Sequence, residues 1–469
     1  MAKQSLLEGV IAALEKSEIR DLKQWLRSPF FNRREDVIVL FDWLSTPAML
    51  AKSFPSKEII FEKIYPNQPY DAQQTRLLMS WLYQHIKNYF AYAEFAQREH
   101  TQFVFLIKRF KKQNLTKHIQ QSINEAAEAL QKQPLRHADF YFEQFQLHRE
   151  TFKLKQIAPR NTELQLQPLS DNLDVFYFIH KLRLSCIMLS HQTMFQKHYH
   201  YPLLDEILQL LSHQNLTYYP VVALYHHCYF ALRYEDDTHF ECCYAILTQH
   251  TNLLPPEELH DLYLLLINYC IKRLNDGNLV YAKHGLQLYK EALQQALLLE
   301  NGYLSRFAYR NIVAMGLLEK EYVFIEKFLY DYKDLLEEAH RESTFSFNLA
   351  RLEYSRRRYK QALKLLQKSD YTDLLLNLAA KTLLLKIYYE TNEFDTLDTH
   401  LQAMQKFISR HRIMGYHKAN YRNVVQLTHR LINTNLFDVE EKKKLINDVQ
   451  QTDPLTERDW LLEMIAFSK

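Results

Sequence analysis

Glycine scarcity is the feature that most constrains the fold of this chain. Only six of the 469 residues are glycine, and leucine is far commoner than valine. Sheet proteins need glycine-rich turns and β-branched strands, whereas helices favour leucine, alanine, glutamate, lysine and glutamine. Hydrophobic residues make up 47% of the chain and charged residues 24%, which is enough apolar surface for a folded core. The sequence therefore predicts an all-α protein.

The same scarcity excludes the phosphate-binding loops of nucleotide-dependent enzymes. Backbone in those loops approaches the phosphate closely, which is why the loops are rich in glycine. No two glycines of this chain stand closer than Gly277 and Gly285, so neither GxxxxGK nor GxGxxG occurs. A GxSxG turn and an HExxH motif are absent from the sequence as well. The sequence predicts a non-enzymatic protein that uses no cofactor and no metal.

Charge and cysteine content indicate the compartment. The net charge is only +3, so bulk charge requires neither nucleic acid nor membrane as a partner. The cysteines are odd in number and clustered in the middle of the chain, unlike a disulfide framework: Cys186, Cys228, Cys242, Cys243 and Cys270. Residues 1–18 lack the apolar core of a signal peptide, and the longest apolar run, Leu262 to Ile271, is about half a membrane span. These features predict a cytoplasmic protein that does not insert into membranes.

Proline positions and capping residues suggest three regions. In residues 1–100 we expect an N-terminal helical domain, with a first helix from Leu6 to Leu26 and a long helix that Asp71 caps. Residues 101–160 are predicted to form connecting helices and a linker, because the segment from Ile157 to Ser170 contains two prolines. Residues 161–469 alternate amphipathic segments with short polar breaks, which predicts a stack of helices.

A weak internal repeat supports the stack. Three segments place apolar or aromatic residues at identical offsets: Ile312, Val313, Tyr322, Ile325 and Leu329; Leu349, Ala350, Tyr359, Ala362 and Leu366; Leu384, Leu385, Phe394, Leu397 and Leu401. Successive segments are shifted by 37 and 35 residues. A period in this range is typical of arrays in which each unit is a helix–turn–helix.

The second of these segments resembles a tetratricopeptide repeat. It has a small residue, Ala350, inside its first helix, the aromatic Tyr359 after the turn, and Ala362 three residues later. The first and third segments depart from the family pattern, because Ile325 and Leu397 stand where the family prefers alanine. The resemblance implies an α-solenoid of antiparallel helical hairpins that serves as an interaction scaffold for a peptide or a protein.

A histidine–cysteine cluster is the sequence's candidate for metal chemistry. It consists of His226, His227, Cys228, His239, Cys242 and Cys243. Zinc takes four such ligands, and the last three residues have helical spacing. There is no CxxC pair, however, and aromatic residues surround the cluster, which favours core packing of free cysteines over a metal site.

A basic stretch near the C-terminus is the candidate binding surface. No aspartate or glutamate occurs from Thr399 to Phe437. The basic residues of this stretch are Lys406, Arg410, Arg412, Lys418, Arg422 and Arg430. On a helix, Lys418, Arg422 and His429 lie within about 40° of one another and suit a phosphate backbone or an acidic peptide. A solvated helix face is the alternative interpretation.

These observations predict a non-enzymatic adaptor or scaffold that binds another protein. The alternative is a nucleic-acid-associated regulator in which the solenoid senses a peptide or protein. In that alternative the segment from Lys57 to Tyr65 and the helix after Asp71 form a helix–turn–helix-like unit. Its second helix offers only Arg76 and Lys87 on the exposed face, so nucleic acid is the less favoured partner.

Overall fold

The computed structural model describes residues 5–156, 163–195, 197–213, 215–368, 373–411 and 415–467. Its helices are α1 Leu6–Ala13, α2 Lys16–Arg27, α3 Glu35–Leu44, α4 Pro47–Leu50, α5 Lys57–Ile64, α6 Ala72–Gln97, α7 Glu99–Lys112, α8 Thr116–Lys132, α9 Ala138–Lys155, α10 Leu166–Phe195, α11 Leu204–Ser212, α12 Pro220–Tyr234, α13 Asp237–Gln249, α14 Pro256–Asn275, α15 Tyr281–Gln294, α16 Arg306–Leu318, α17 Tyr322–Asp331, α18 Arg341–Ser355, α19 Tyr359–Lys368, α20 Leu374–Glu390, α21 Phe394–Arg410, α22 Gly415–Asn433, α23 Val439–Gln451 and α24 Arg458–Phe467. The strands β1 Leu299–Glu300 and β2 Tyr303–Leu304 form one short antiparallel pair. The prediction of an all-α fold is confirmed.

The chain divides into two compact units. The first comprises residues 1–181 and the second residues 182–469, so the boundary falls inside α10. Residues 157–162 of the predicted linker lie outside the described residues, and α10 begins at Leu166. The division into residues 1–100, 101–160 and 161–469 stays a prediction.

The first helical segment is broken, contrary to the prediction of one helix from Leu6 to Leu26. Two helices replace it, because Leu14 and Glu15 have extended backbone. The Glu15 backbone N–H donates to the Glu18 carboxylate at 2.8 Å, which caps the start of α2. No glycine or proline lies at this break, so the spacing of the apolar residues alone predicts one continuous helix.

Helix α6 organises the first part of unit 1. Asp71 caps it as predicted, with one carboxylate oxygen accepting from the backbone N–H groups of Gln73 and Gln74 at 2.7 and 3.0 Å. Helices α1, α2, α3 and α5 pack against α6. The core between them is apolar and fully enclosed, with Leu22, Leu40, Phe41, Ile60, Leu78 and Leu82 among its members.

Helices α7, α8 and α9 form a second cluster in unit 1, each packed against the other two. A buried carboxylate joins two of them. Glu150 of α9 accepts from the Lys111 ammonium of α7 at 2.7 Å and from Lys153 at 3.0 Å. These cations hold the pKa of Glu150 below its ordinary value although burial opposes them.

Unit 2 is a solenoid-like stack of helical hairpins. The hairpins are α12–α13, α14–α15, α16–α17, α18–α19 and α20–α21, and the partners of each pair pack together. First helices also pack on later first helices, as α12 on α14, α16 on α18 and α18 on α20. One hydrophobic core lies between α18, α19 and α20, and another is shared by α20, α21, α22, α23 and α24 at the C-terminal end of the stack.

The turns of these hairpins repeat one backbone conformation. Each contains one residue with a positive φ: Glu235, Gly277, Lys320, Arg357 and Asn392. In the last three turns the next residue donates its N–H back into the first helix, as Arg358 does to the Glu353 carbonyl at 2.8 Å. Lys320, Arg357 and Asn392 are spaced by 37 and 35 residues, the same shifts as the sequence repeat. The repeat alignment therefore matches the structure at the turns of these three hairpins.

Candidate binding groove

An open groove of about 910 Å³ lies in unit 2. Its walls are the first helices of three successive hairpins, α16, α18 and α20, together with α22 and the segment that leads into α24. The second helices of these hairpins do not line it. We call this feature the groove.

The repeat register places three groove residues at one equivalent position. Shifts of 37 and 35 residues carry Ala314 of α16 to Arg351 of α18 and then to Lys386 of α20. Arg310 precedes Ala314 by one helical turn, so it lies on the same face of α16. The guanidinium of Arg310 lies 6.0 Å from the ring of Phe347 on the next first helix.

One end of the groove is occupied by the chain's own C-terminal segment. The Glu457 carboxylate forms an ion pair with the Lys386 ammonium at a distance of 2.8 Å. Three residues later the Trp460 indole N–H donates to Glu390 at 2.9 Å. The hydroxyls of Tyr354 and Tyr359 donate to the same carboxylate. We call this part, around Lys386, the occupied end.

Asparagines of α22 hold that segment in place. The side chain of Asn420 accepts from the Thr456 backbone N–H at 2.7 Å and donates to the Thr456 hydroxyl at 3.1 Å. Asn423 donates to the Pro454 carbonyl at 3.0 Å. Asn420 is buried, so its hydrogen bonds are well shielded from water. They fix the backbone that presents Glu457 to Lys386.

The other end of the groove carries cations without carboxylate partners. Within the described residues neither Arg310 nor Arg351 forms an ion pair, and the one hydrogen bond of Arg351 is a long one to Asn348 at 3.5 Å. Both guanidinium groups lie about 6 Å from the Phe347 ring, at 6.0 and 5.9 Å. We call this part the open end.

Electrostatics at the open end are unfavourable for its own charges. Burial and, after it, the positive charge of Arg310 lower the pKa of Arg351 to about 10, while the negative charge of Glu457 opposes them. Burial also lowers the pKa of Arg310. Both side chains are partly exposed toward the groove. The open end therefore holds two partly desolvated cations that repel each other.

Apolar side chains stand beside these arginines. Phe307 and Leu318 of α16 are 60% and 52% exposed, and Leu375 of α20 is 36% exposed. All three line the groove. Exposed apolar surface next to unpaired charge is typical of a surface that another molecule covers.

The structure locates five of the six sequence-predicted basic residues outside the groove. Lys406 and Arg410 are exposed on α21, and on α22 Arg422 is exposed while Lys418 is half-buried. Arg430 forms an ion pair with Asp448 of α23. Arg412 lies outside the described residues. Val425, at the same angular position on α22 as Lys418 and His429, is buried and interrupts the stripe.

The histidine–cysteine cluster lies in the α12–α13 hairpin. Cys228 and Cys243 are fully buried, and the imidazoles of His227 and His239 are joined by a hydrogen bond between their Nδ1 atoms at 2.8 Å. Burial lowers the pKa of His226 to about 4, so that imidazole is neutral at pH 7. In the part of the chain that the structure describes, no three or more histidine, cysteine or acidic side chains are arranged to bind a metal ion.

Arg310 and Arg351 were not singled out by sequence reasoning. The available signal was the repeat itself, because aligning the segments shows a cation at the same position in two consecutive first helices.

In the described residues no helix combines the length and apolar character that crossing a membrane needs. Comparisons of the chain with protein-family models, curated proteins and solved structures gave no match. The groove's own residues therefore carry the functional argument.

Proposed function

We propose that this protein is a non-enzymatic scaffold whose tetratricopeptide-like unit 2 binds a segment of a partner protein in the groove. The observation that carries the proposal is the continuity of the groove across α16, α18 and α20. A surface built from equivalent faces of stacked repeats suits an extended segment of another chain. Repeat arrays use such extended surfaces for binding.

Two carboxylates at the occupied end hold α24, and the arginines of the open end favour binding of an anion. Glu390 accepts three hydrogen bonds, and Glu457 is paired with Lys386. A general base needs a free carboxylate or imidazole that can accept a proton from a substrate. These two carboxylates are instead engaged in holding α24. Arg310 and Arg351, which form no ion pair in the described residues, stay protonated and recognise anions. The groove is also lined by Asp459, Glu463 and His417.

Site-specific photo-crosslinking tests the proposal. A benzophenone amino acid replaces Leu318 in the groove, and a second variant carries it at Val323 on α17, which is 82% exposed and does not line the groove. Both full-length chains are expressed in the native host and irradiated. We expect a discrete protein adduct from position 318 that resists nuclease and is absent from position 323.

The pattern of adducts discriminates between the alternatives. Equal adducts from both positions would indicate unspecific contact, and no adduct from position 318 would contradict a groove ligand. A groove adduct must also disappear when Phe307 is replaced by aspartate, because a charge there disrupts apolar contact with the partner.

A nucleic-acid-associated role is the second candidate, and the basic surface on α21 and α22 favours it. Lys406, Arg410 and Arg422 are exposed without an ion pair in the described residues. Phosphate binding would make the affinity for an oligonucleotide fall steeply with salt. The test measures binding of a 20-nucleotide single strand between 50 and about 200 mM salt, in wild type and in R410E/R422E. An affinity that is absent, or unchanged in the variant, removes this candidate.

A further inference from the structure

We infer that the open end of the groove binds a carboxylate side chain of an acidic segment of the partner protein, with Arg310 and Arg351 as its two cations. This inference rests on the proposed function and specifies the chemistry of the ligand. It follows from three observations: the unpaired arginines, the occupied end as an internal template, and the neighbouring apolar surface.

The unpaired state of the arginines is the first observation. Among the described residues of unit 2, most partly buried cations have carboxylate partners, for example Arg183 with Asp261 at 2.8 Å and Arg356 with Glu326 at 2.7 Å. Arg310 and Arg351 are exceptions, although both are only partly exposed. Placing two cations close together costs free energy, which an incoming carboxylate recovers by pairing with both.

The occupied end supplies the second observation, because it shows what this register position accepts. Lys386 is the repeat equivalent of Arg351, and its ligand is a glutamate presented by a helix start. The Lys386 ammonium also lies 5.6 Å from the ring of Trp460 and 5.3 Å from that of Tyr354. A carboxylate with an aromatic neighbour thus already fills one copy of the site. The same chemistry one repeat earlier lacks its ligand.

The geometry of the open end favours a carboxylate held by two arginines. Arg310 and Arg351 approach the same Phe347 ring from successive first helices. Guanidinium groups bind carboxylates through paired N–H donors, which ammonium groups do not offer. The exposed side chains of Phe307 and Leu318 adjoin this site along α16. We therefore expect the segment to carry an aspartate or glutamate next to apolar residues.

A peptide selection tests the chemistry directly. Random 12-residue peptides displayed on phage are selected on the full-length protein, and soluble binders are measured by fluorescence anisotropy. We expect the binders to share an aspartate or glutamate beside apolar residues. Changing that acid to its amide, or making R310Q or R351Q, weakens binding about tenfold or more, because a charged hydrogen bond contributes about 1.5–3 kcal/mol.

Control variants separate the inference from the proposed function. R422Q removes an exposed arginine outside the groove and should leave affinity unchanged. In the F307D variant every groove binder should be lost. Binders that respond to F307D but share no acid and ignore R310Q and R351Q would overturn the inference and keep the function. Binders insensitive to F307D, or a failed selection, would count against the groove itself and so against both.

A charge exchange gives an independent check. R351E should lose the acidic peptides and gain affinity for the same peptides with lysine in place of the acid. Circular dichroism and the thermal midpoint of R351E verify that the variant is folded. If folded R351E binds acidic peptides as well as the wild type does, Arg351 does not contact the carboxylate and the inference is wrong.

Discussion

Lys386 and Arg351 occupy the same position in consecutive hairpins, yet their surroundings differ. Lys386 has an internal carboxylate at 2.8 Å, whereas Arg351 has no ion pair and lies near a second arginine. The backbone that carries them is equivalent, as the shared turn conformation shows. The repeat sets the direction of the side chain at this position. The C-terminal segment then determines which of the two cations has a carboxylate partner within the chain. Predictions that contrast the two ends test this view.

Truncating the anchors of the two ends should give the largest contrast. W460A removes a side chain that is 6% exposed, packs on Tyr389 and donates to Glu390. We expect it to lower the free energy of unfolding by about 3 kcal/mol. F307A removes an exposed ring at the open end and should change stability by less than about 0.5 kcal/mol. Urea unfolding followed by circular dichroism measures both values.

One outcome would contradict the predicted difference between W460A and F307A. Similar losses in W460A and F307A would show that the open end is as firmly packed as the occupied end, and the groove would then not be available to a partner. L461A is a useful reference, because Leu461 is fully buried and belongs to the core that α24 completes. We expect L461A to lower the free energy of unfolding by about as much as W460A does.

Removing the cations should give effects of different sign. K386M leaves Glu457 without its partner in a largely enclosed position and should destabilise by about 1–2 kcal/mol. R351M removes a desolvated, unpaired charge while keeping an apolar side chain of similar length. We expect no loss or a gain of about 0.5 kcal/mol. Denaturant midpoints compared at constant slope give both numbers.

A double-mutant cycle locates the cause. In the K386M background, E457Q should restore part of the stability, because the unpaired charge is gone. In the R351M background, E457Q should have nearly the effect that it has in the wild type, because Glu457 forms its ion pair with Lys386 and not with Arg351. If R351M proves as destabilising as K386M, Arg351 has a partner within the folded chain, and its guanidinium is not available to a ligand.

Sequence reasoning reached the architecture because local chemistry marks it. Asp71 caps its helix as an acceptor of backbone N–H groups, and its position before an amphipathic segment in the sequence predicts such a cap. The break at Leu14 was missed, since extended backbone there needs no glycine or proline. The groove was missed for a different reason. Glu457 meets Lys386 across 71 residues, a distance along the chain that no local pattern reports.

The turns offer the smallest and most local contrast between equivalent positions. Gly277 and Arg357 both have a positive φ, at 91° and 58°, and Gly277 has no atom near the place of a Cβ. G277A should cost about 1 kcal/mol through backbone conformation alone. R357G should stabilise by about 0.5 kcal/mol, because relief of the left-handed strain exceeds the added entropy of the unfolded chain. Arg357 is exposed and forms no ion pair among the described residues, so R357A provides the control and should show no gain. Stabilisation by both variants would mean that the Arg357 side chain itself is unfavourable, and the turn would then not be the cause.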